Sequence, residues 1–279
     1  MRRSLTLTGL AAACALTGGV LYGTGAAVAE HPRGDTTAEP HNIGLLVGEI
    51  KSYYGAAQDA DGVWQASPDS AYADDMARAV ARAERSIGKA AKAAKAAETV
   101  KASEGHGGRG GHGRKPAVVF DIDDTLLLSL DYEIKTNYTY NSASWADYVA
   151  RADRPAVPGT PELVRYAARR GVTVFYNSGL KESQRAGAVE NLKKVGIDVG
   201  LDTEHVFLKD TVHPPAYLSG CATAAAWNCT TVQYKSGTRA HIESLGYDIV
   251  GNFGDQYSDL EGGHADRTFK FPNPTYYVE

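Results

Sequence analysis

The sequence predicts an α/β protein: a parallel sheet with helices on both faces, carrying a small cap insertion and preceded by an N-terminal helical extension. Three observations predict it. After Pro116, short continuous apolar runs recur, each of strand length and each ending in polar residues. Helical stretches lie between them, and this alternation lays helices against both faces of a parallel sheet. The first run, KPAVVFDIDDTLLLSL, passes directly from Val and Phe into Asp121 and Asp123. A buried strand cannot keep unpaired carboxylates, because a charge taken out of water without a partner costs more than the strand gains. The two acids therefore belong at the strand's exit.

In chain order, residues 1–29 read as a secretory signal peptide. They combine Arg2 and Arg3, a short glycine-broken apolar stretch and small residues at Ala27 and Ala29 before Glu30. The stretch is too short for a membrane span, and Cys14, preceded by three alanines, is counted as part of the signal. Cleavage takes the net charge from −4 to −6, since two arginines leave and no acid does. A mildly acidic secreted chain has no electrostatic reason to bind nucleic acid as a polymer, and without its signal nothing anchors it stably to a membrane. The 279 residues, 43% of them hydrophobic, suit one sizeable core with extensions.

Residues 30–103 are expected to form a peripheral helical extension. HNIGLLVGEIKSYYGAA gives one helix, and a long alanine-rich one follows, opened by Ser70 with acids in its first turn and a Lys/Ala repeat read as a solvated face. EGHGGRGGHGRK, residues 104–115, is a flexible linker, and His106 and His112 within it make a poor metal site. The main domain then runs over 116–279. Its strands are KPAVVFD, VTVFYNS, HVFLKD, YDIVGNFGD and RTFKFP. Its helices are SWADYVARADR, TPELVRYAARRG with Thr160 as cap and Pro161 in the first turn, KESQRAGAVENLKKVG and SGTRAHIESLG. Gly171, Gly196 and Gly246 follow helix ends, where a left-handed residue is wanted. Cys221 and Cys229 stand close in sequence; in an oxidising compartment they close a small loop as a disulfide, the alternative being two free thiols.

Polar residues at the strand exits converge on one rim, where ligands of such sheets bind. They are Asp121 and Asp123, Asn177 and Ser178, Lys235 upstream of a helix, and Asp255 and Asp259. A single Asp at a strand end is commonly a cap or turn former. Several carboxylates on one rim repel one another and call for a hard cation, and oxygen ligands with places left for water and phosphate suit magnesium. With a cation present, Asp121 can attack phosphorus through one oxygen to give an acyl phosphate. Asp123 can protonate the leaving alcohol and then activate water. Ser178 and Lys235 can hold the phosphoryl oxygens. Asp255 completes the metal shell, and Asp259 supports a metal water or Lys235.

The ordered series FDIDDTLL, FYNSGL, YKSGTR and VGNFGDQYSDL resembles the haloacid-dehalogenase (HAD) superfamily of phosphatases. It is most similar to the secreted acid phosphatases of subfamily IIIB, which include vegetative storage proteins and class B and C bacterial enzymes. The resemblance spans about residues 42–279. It implies a Rossmann-like core, Mg2+ and a phosphoaspartyl intermediate. It also implies Asp121 as nucleophile, Asp123 as acid/base, phosphate contacts from Ser178 and Lys235, and metal binding by Asp121, Asp255 and the Asp123 backbone carbonyl. Leu180 stands where many relatives carry arginine. The implied function is a secreted acid phosphatase acting on small phosphomonoesters; the alternatives are a non-catalytic storage or binding protein on the same fold, or a phosphotransferase. The cap insertion, about 129–158, carries Tyr132, Tyr138, Tyr140, Trp145 and Tyr148, which either line a substrate entrance or pack the cap on the core.

Overall fold

A computed structural model describes residues 40–103 and 113–279 of the chain. The expected signal segment with Cys14, and His106 and His112 of the linker, lie outside the described residues. Asn42–Glu279 form one compact unit. Its centre is a parallel sheet of β1 (Lys115–Phe120), β2 (Thr173–Lys181), β3 (Val206–Lys209), β4 (Tyr247–Gly254) and β5 (Thr268–Lys270), in the order β3-β2-β1-β4-β5. The first strand begins at Lys115, the last residue of the expected linker.

The continuous apolar run of β1 reflects burial on both sides. Val118 and Phe120 join one core cluster, and Ala117 and Val119 another, as the period of two along a strand requires. The Phe120 ring stacks on Phe253 of β4 at 4.4 Å.

The helices are α1 (Ile43–Tyr54), α2 (Ala71–Ser103), α3 (Leu130–Lys135), α4 (Ser142–Ala150), α5 (Thr160–Arg169), α6 (Arg185–Lys194), α7 (Thr231–Ser244) and the short α8 (Tyr257–Leu260). Ser70 caps α2 as expected, its hydroxyl accepting from the Ala73 amide. Gly171, Gly196 and Gly246 have φ of 75°, 81° and 93° after their helices, as expected.

Three expectations are corrected. The N-terminal helices are not peripheral: Ile50, Tyr54, Tyr72, Met76, Ala83 and Ile87 belong to the same core cluster as Val118 and Phe120. In α5 the cap is Gly159 with φ 77°, while Thr160 is already helical and its hydroxyl donates to the Val157 carbonyl at 2.9 Å. Lys235 lies inside α7, not upstream of it. The helix starts earlier because Thr230 and Gln233 form a reciprocal capping box: the Gln233 amide donates to Thr230 Oγ1 at 3.1 Å and the Thr230 amide to Gln233 Oε1 at 2.9 Å.

Among the described residues no helix is long and apolar enough to cross a membrane. Cys221 and Cys229 form a disulfide. It closes the stretch holding a two-residue hairpin, Ala222–Thr223 paired with Ala226–Trp227.

Candidate active site

Asp121 follows β1 directly, and its amide donates to the Phe253 carbonyl of β4 at 2.9 Å, which fixes the backbone at the strand's exit. Its side chain is buried and takes the Lys235 ammonium at 2.5 Å. Lys235 also reaches Asp259 Oδ1 at 2.8 Å and the Asn177 carbonyl at 2.5 Å. One turn into α7, it therefore ties the exits of β1, β2 and β4 together. Burial lowers the pKa of Lys235, but the Asp121 and Asp259 carboxylates more than reverse this and hold the ammonium charged.

Asp255 accepts from Thr125 Oγ1 at 3.1 Å, Gln256 Nε2 at 2.7 Å and Asn273 Nδ2 at 2.8 Å. Asp259, on α8, accepts the Gln256 amide at 3.0 Å. The loop from β4 into α8 is tight: a Cβ on Gly254 would come within 2.4 Å of the Asp259 Cβ, so only glycine fits there.

Carboxylate oxygens of Asp121, Asp255 and Asp259 lie within 4.8 Å of one another, all buried. Burial raises Asp121 well above the usual carboxylate range; Lys235 opposes this, while Asp259, Asp255 and Asp123 add to it. Burial, then Asp259 and Asp124, push Asp255 up to about 7. One ammonium thus faces three carboxylates. The all-oxygen donor set and this uncompensated charge fit a hard divalent cation.

Asp123 points the other way, into the cleft, with its side chain 18% exposed. Arg154 Nη1 holds Asp123 Oδ1 at 2.5 Å, and Ser178 Oγ lies 3.5 Å from Asp123 Oδ2. Arg154 is itself fully buried, with its backbone amide bonded to Asn191 Oδ1 at 3.1 Å and its guanidinium 5.5 Å from the Trp145 ring centroid. Sequence reasoning did not find Arg154, because RADRP reads as a charged loop. Asp124 is structural: at φ 53° its carboxylate accepts the Ser129 amide at 2.8 Å and the Ser129 hydroxyl.

Of the expected site residues, Asp121 and Asp259 thus meet on Lys235, Asp255 joins them through the carboxylate group, and Ser178 lies beside Asp123. Above them opens a cleft of about 520 Å³. The cap aromatics divide between their two expected roles. Tyr138, Tyr140 and Trp145 line the cleft, whereas Tyr132 and Tyr148 are buried and pack on Trp145 at 5.0 and 5.7 Å. Trp227 and Tyr234, and Tyr276 and Tyr277 near the C-terminus, complete the wall and were not anticipated. Glu133 also lines the cleft; burial, then the Asp124 charge, push its carboxyl up to about 8.

A family model described as HAD superfamily, subfamily IIIB (Acid phosphatase) matches residues 63–279. The stem 28 kDa glycoprotein of Glycine max is 35% identical over 59% of this chain and 61% of its own length. Vegetative storage protein 1 of Arabidopsis thaliana is 34% identical over 57% of this chain and 54% of its own. Acid phosphatase 1 of Solanum lycopersicum is 31% identical over 57% and 58%. The chain thus spans a little over half the length of the curated relatives it matches. The class C acid phosphatase of Bacillus anthracis shares the fold, with a TM-score of 0.50 at 23% identity over 72% of this chain and 78% of that one.

Proposed function

Given that this chain belongs to subfamily IIIB of the HAD superfamily, the acid phosphatases, we propose that it is a secreted, magnesium-dependent hydrolase of small phosphomonoesters working through a phosphoaspartyl intermediate on Asp121. The observation that carries the proposal is the buried Asp121 held on Lys235, grouped with Asp255 and Asp259 and adjoined by the cleft-facing Asp123.

In this reading Lys235 aims the Asp121 carboxylate and works against the burial that disfavours its ionised form, and the ionised oxygen attacks phosphorus. Asp123 gives its proton to the leaving alcohol and then takes one from the water that cleaves the acyl phosphate. Arg154 holds the Asp123 carboxylate beside Ser178, so that proton donor and phosphoryl oxygens face one another. Ser178 and Lys235 carry the charge that develops on the phosphoryl oxygens. Asp121, Asp255 and the Asp123 backbone carbonyl would hold Mg2+, with Asp259 supporting Lys235 and a metal water; the ion supplies positive charge to the phosphoryl group. Residues 1–29 as an export signal and the disulfide support secretion.

The test is hydrolysis of para-nitrophenyl phosphate at acidic and neutral pH. Turnover with Mg2+ that EDTA abolishes and Mg2+ restores is expected, and a silent wild-type protein would overturn the proposal. The storage-protein names of two relatives, 34% and 32% identical, favour a second reading, a non-catalytic storage protein, and the same silence would support it.

A further inference from the structure

Four Asp, Glu or Lys side chains line the cleft: Asp123, Glu133, Lys181 and Lys209. Asp123 is taken by Arg154. Lys181 and Lys209 are direct partners across β2 and β3, the last residues of their strands, so their backbones stand about 5 Å apart. Each is followed in sequence by an acid that is engaged elsewhere. Glu182 takes the Arg185 guanidinium at 2.5 Å, and Asp210 accepts the Val212 and His213 amides at 2.9 and 2.8 Å. Among the described residues, neither lysine has a carboxylate within ion-pair distance. The Lys209 ammonium lies 5.0 Å over the Trp227 ring, which keeps it on the cleft wall. Burial, and then the Lys181 charge, disfavour its protonated form, a cost that a bound anion would remove.

The pair stands farther along the sheet than the Asn177–Ser178 exit. Asn177 and Lys181 lie opposite Phe207 and Lys209, two residues apart on β3, so a bulge in β2 leaves the pair roughly 7 Å beyond Asn177. A sugar ring with an ester at each end bridges such a gap.

We propose that the cleft selects phosphomonoesters whose leaving group carries a second phosphate, and that Lys181 and Lys209 bind that phosphate as specificity-determining residues. The inference rests on the phosphatase reading and names its substrate class.

The experiment compares kcat/KM for adenosine 3′,5′-bisphosphate against adenosine 5′-monophosphate, and for glucose 1,6-bisphosphate against glucose 6-phosphate. Wild type and Lys181→Met/Lys209→Met are used, with melting curves to confirm that the variant folds. The wild type is expected to prefer each bisphosphate by about tenfold, a preference that shrinks with added NaCl. In the variant the ratio should fall to near one. Equal wild-type rates within both pairs, or a preference that survives in the variant, would overturn the inference. Because para-nitrophenyl phosphate has no second anion, its hydrolysis judges the phosphatase reading separately. If the protein proves inactive, calorimetric binding of adenosine 3′,5′-bisphosphate decides: about tenfold weaker binding to the variant supports the second-phosphate site, and equal binding removes it.

Discussion

Arg154 and Glu133 are the residues whose placement adds most to the chemistry of the strand exits. Arg154 reaches Asp123 from thirty-one residues away and is wholly buried. Its replacement by Met should leave Asp123 free to rotate, lowering kcat about 10- to 100-fold with a smaller change in KM, as expected when a proton-transfer group is mispositioned. The same change should cost about 3 kcal/mol of stability, because it unpairs a carboxylate with little access to water. Steady-state kinetics and chemical denaturation read the two effects. For Glu133, burial raises the folded pKa to about 8 from an ordinary 4.5. The folded state therefore holds a proton that the unfolded chain has released. The stability that Glu133 contributes is fully present below about pH 4.5 and is lost as pH rises toward 8. Glu133→Gln should flatten that part of the melting-temperature profile; an unchanged profile would refute the assignment. Asp255, raised to about 7 by burial, Asp259 and Asp124, must be ionised to ligate a cation. Mg2+ binding should therefore weaken as pH falls below 7 and release protons, measurable by calorimetry in buffers of different ionisation enthalpy. Lys235 stood out in the sequence only through the YKSGTR motif, whereas Asp121, Asp123, Ser178, Asp255 and Asp259 were legible as a group because these polar residues break or follow apolar strand runs. Arg154 was not, since nothing in RADRP distinguishes a buried arginine from a solvated one.

The elements were legible in proportion to their length and periodicity. The central strands β1 and β2 carry continuous apolar runs, Ala117–Phe120 and Val174–Tyr176, and burial on both faces is what makes them so, whereas edge strand β5 is only partly buried. The beginning of α7 was missed, although the signal was present in the T-x-x-Q spacing of Thr230 and Gln233. Placing Lys235 within the helix is what aims it at Asp121. The hairpin that carries Trp227 has two-residue strands, too short for any period to register. Its position depends on the Cys221–Cys229 disulfide, and Cys229 itself lines the cleft. Reduction of the disulfide, or Cys221→Ser with Cys229→Ser, should loosen the Trp227 wall while leaving the Asp121 exit intact. KM for aryl phosphates should rise several-fold with kcat nearly unchanged; an equal fall in kcat would show that the hairpin also orders the catalytic carboxylates.

At the scale of the whole molecule, the N-terminal helices are part of the core that supports the sheet. Tyr72, Met76, Ala79, Ala83, Ile87 and Ala91 of α2 are buried at helical spacing. α2 also approaches α5 closely: a Cβ on Gly88 would lie 2.6 Å from the Tyr166 hydroxyl. Beyond Ala91 the Lys/Ala repeat is largely solvated, as expected; the buried face lies before it, in AYADDMARAVARAERSIG, where small alanines among charged residues gave little apolar signal. Burying one large apolar side chain contributes about 2 kcal/mol, against a total stability of about 5–15 kcal/mol. A chain beginning at residue 113 should therefore be insoluble or unfolded by circular dichroism, whereas one beginning at residue 40 should fold.

The central claim, nucleophilic attack by Asp121, is tested most directly by acid-quenching a reaction with excess phosphomonoester and locating the phosphoryl group by mass spectrometry. The account predicts the mass of one phosphoryl group on the peptide containing Asp121 in the wild type and none in Asp121→Asn. A phosphoryl group on another residue, or turnover persisting in Asp121→Asn, would contradict it.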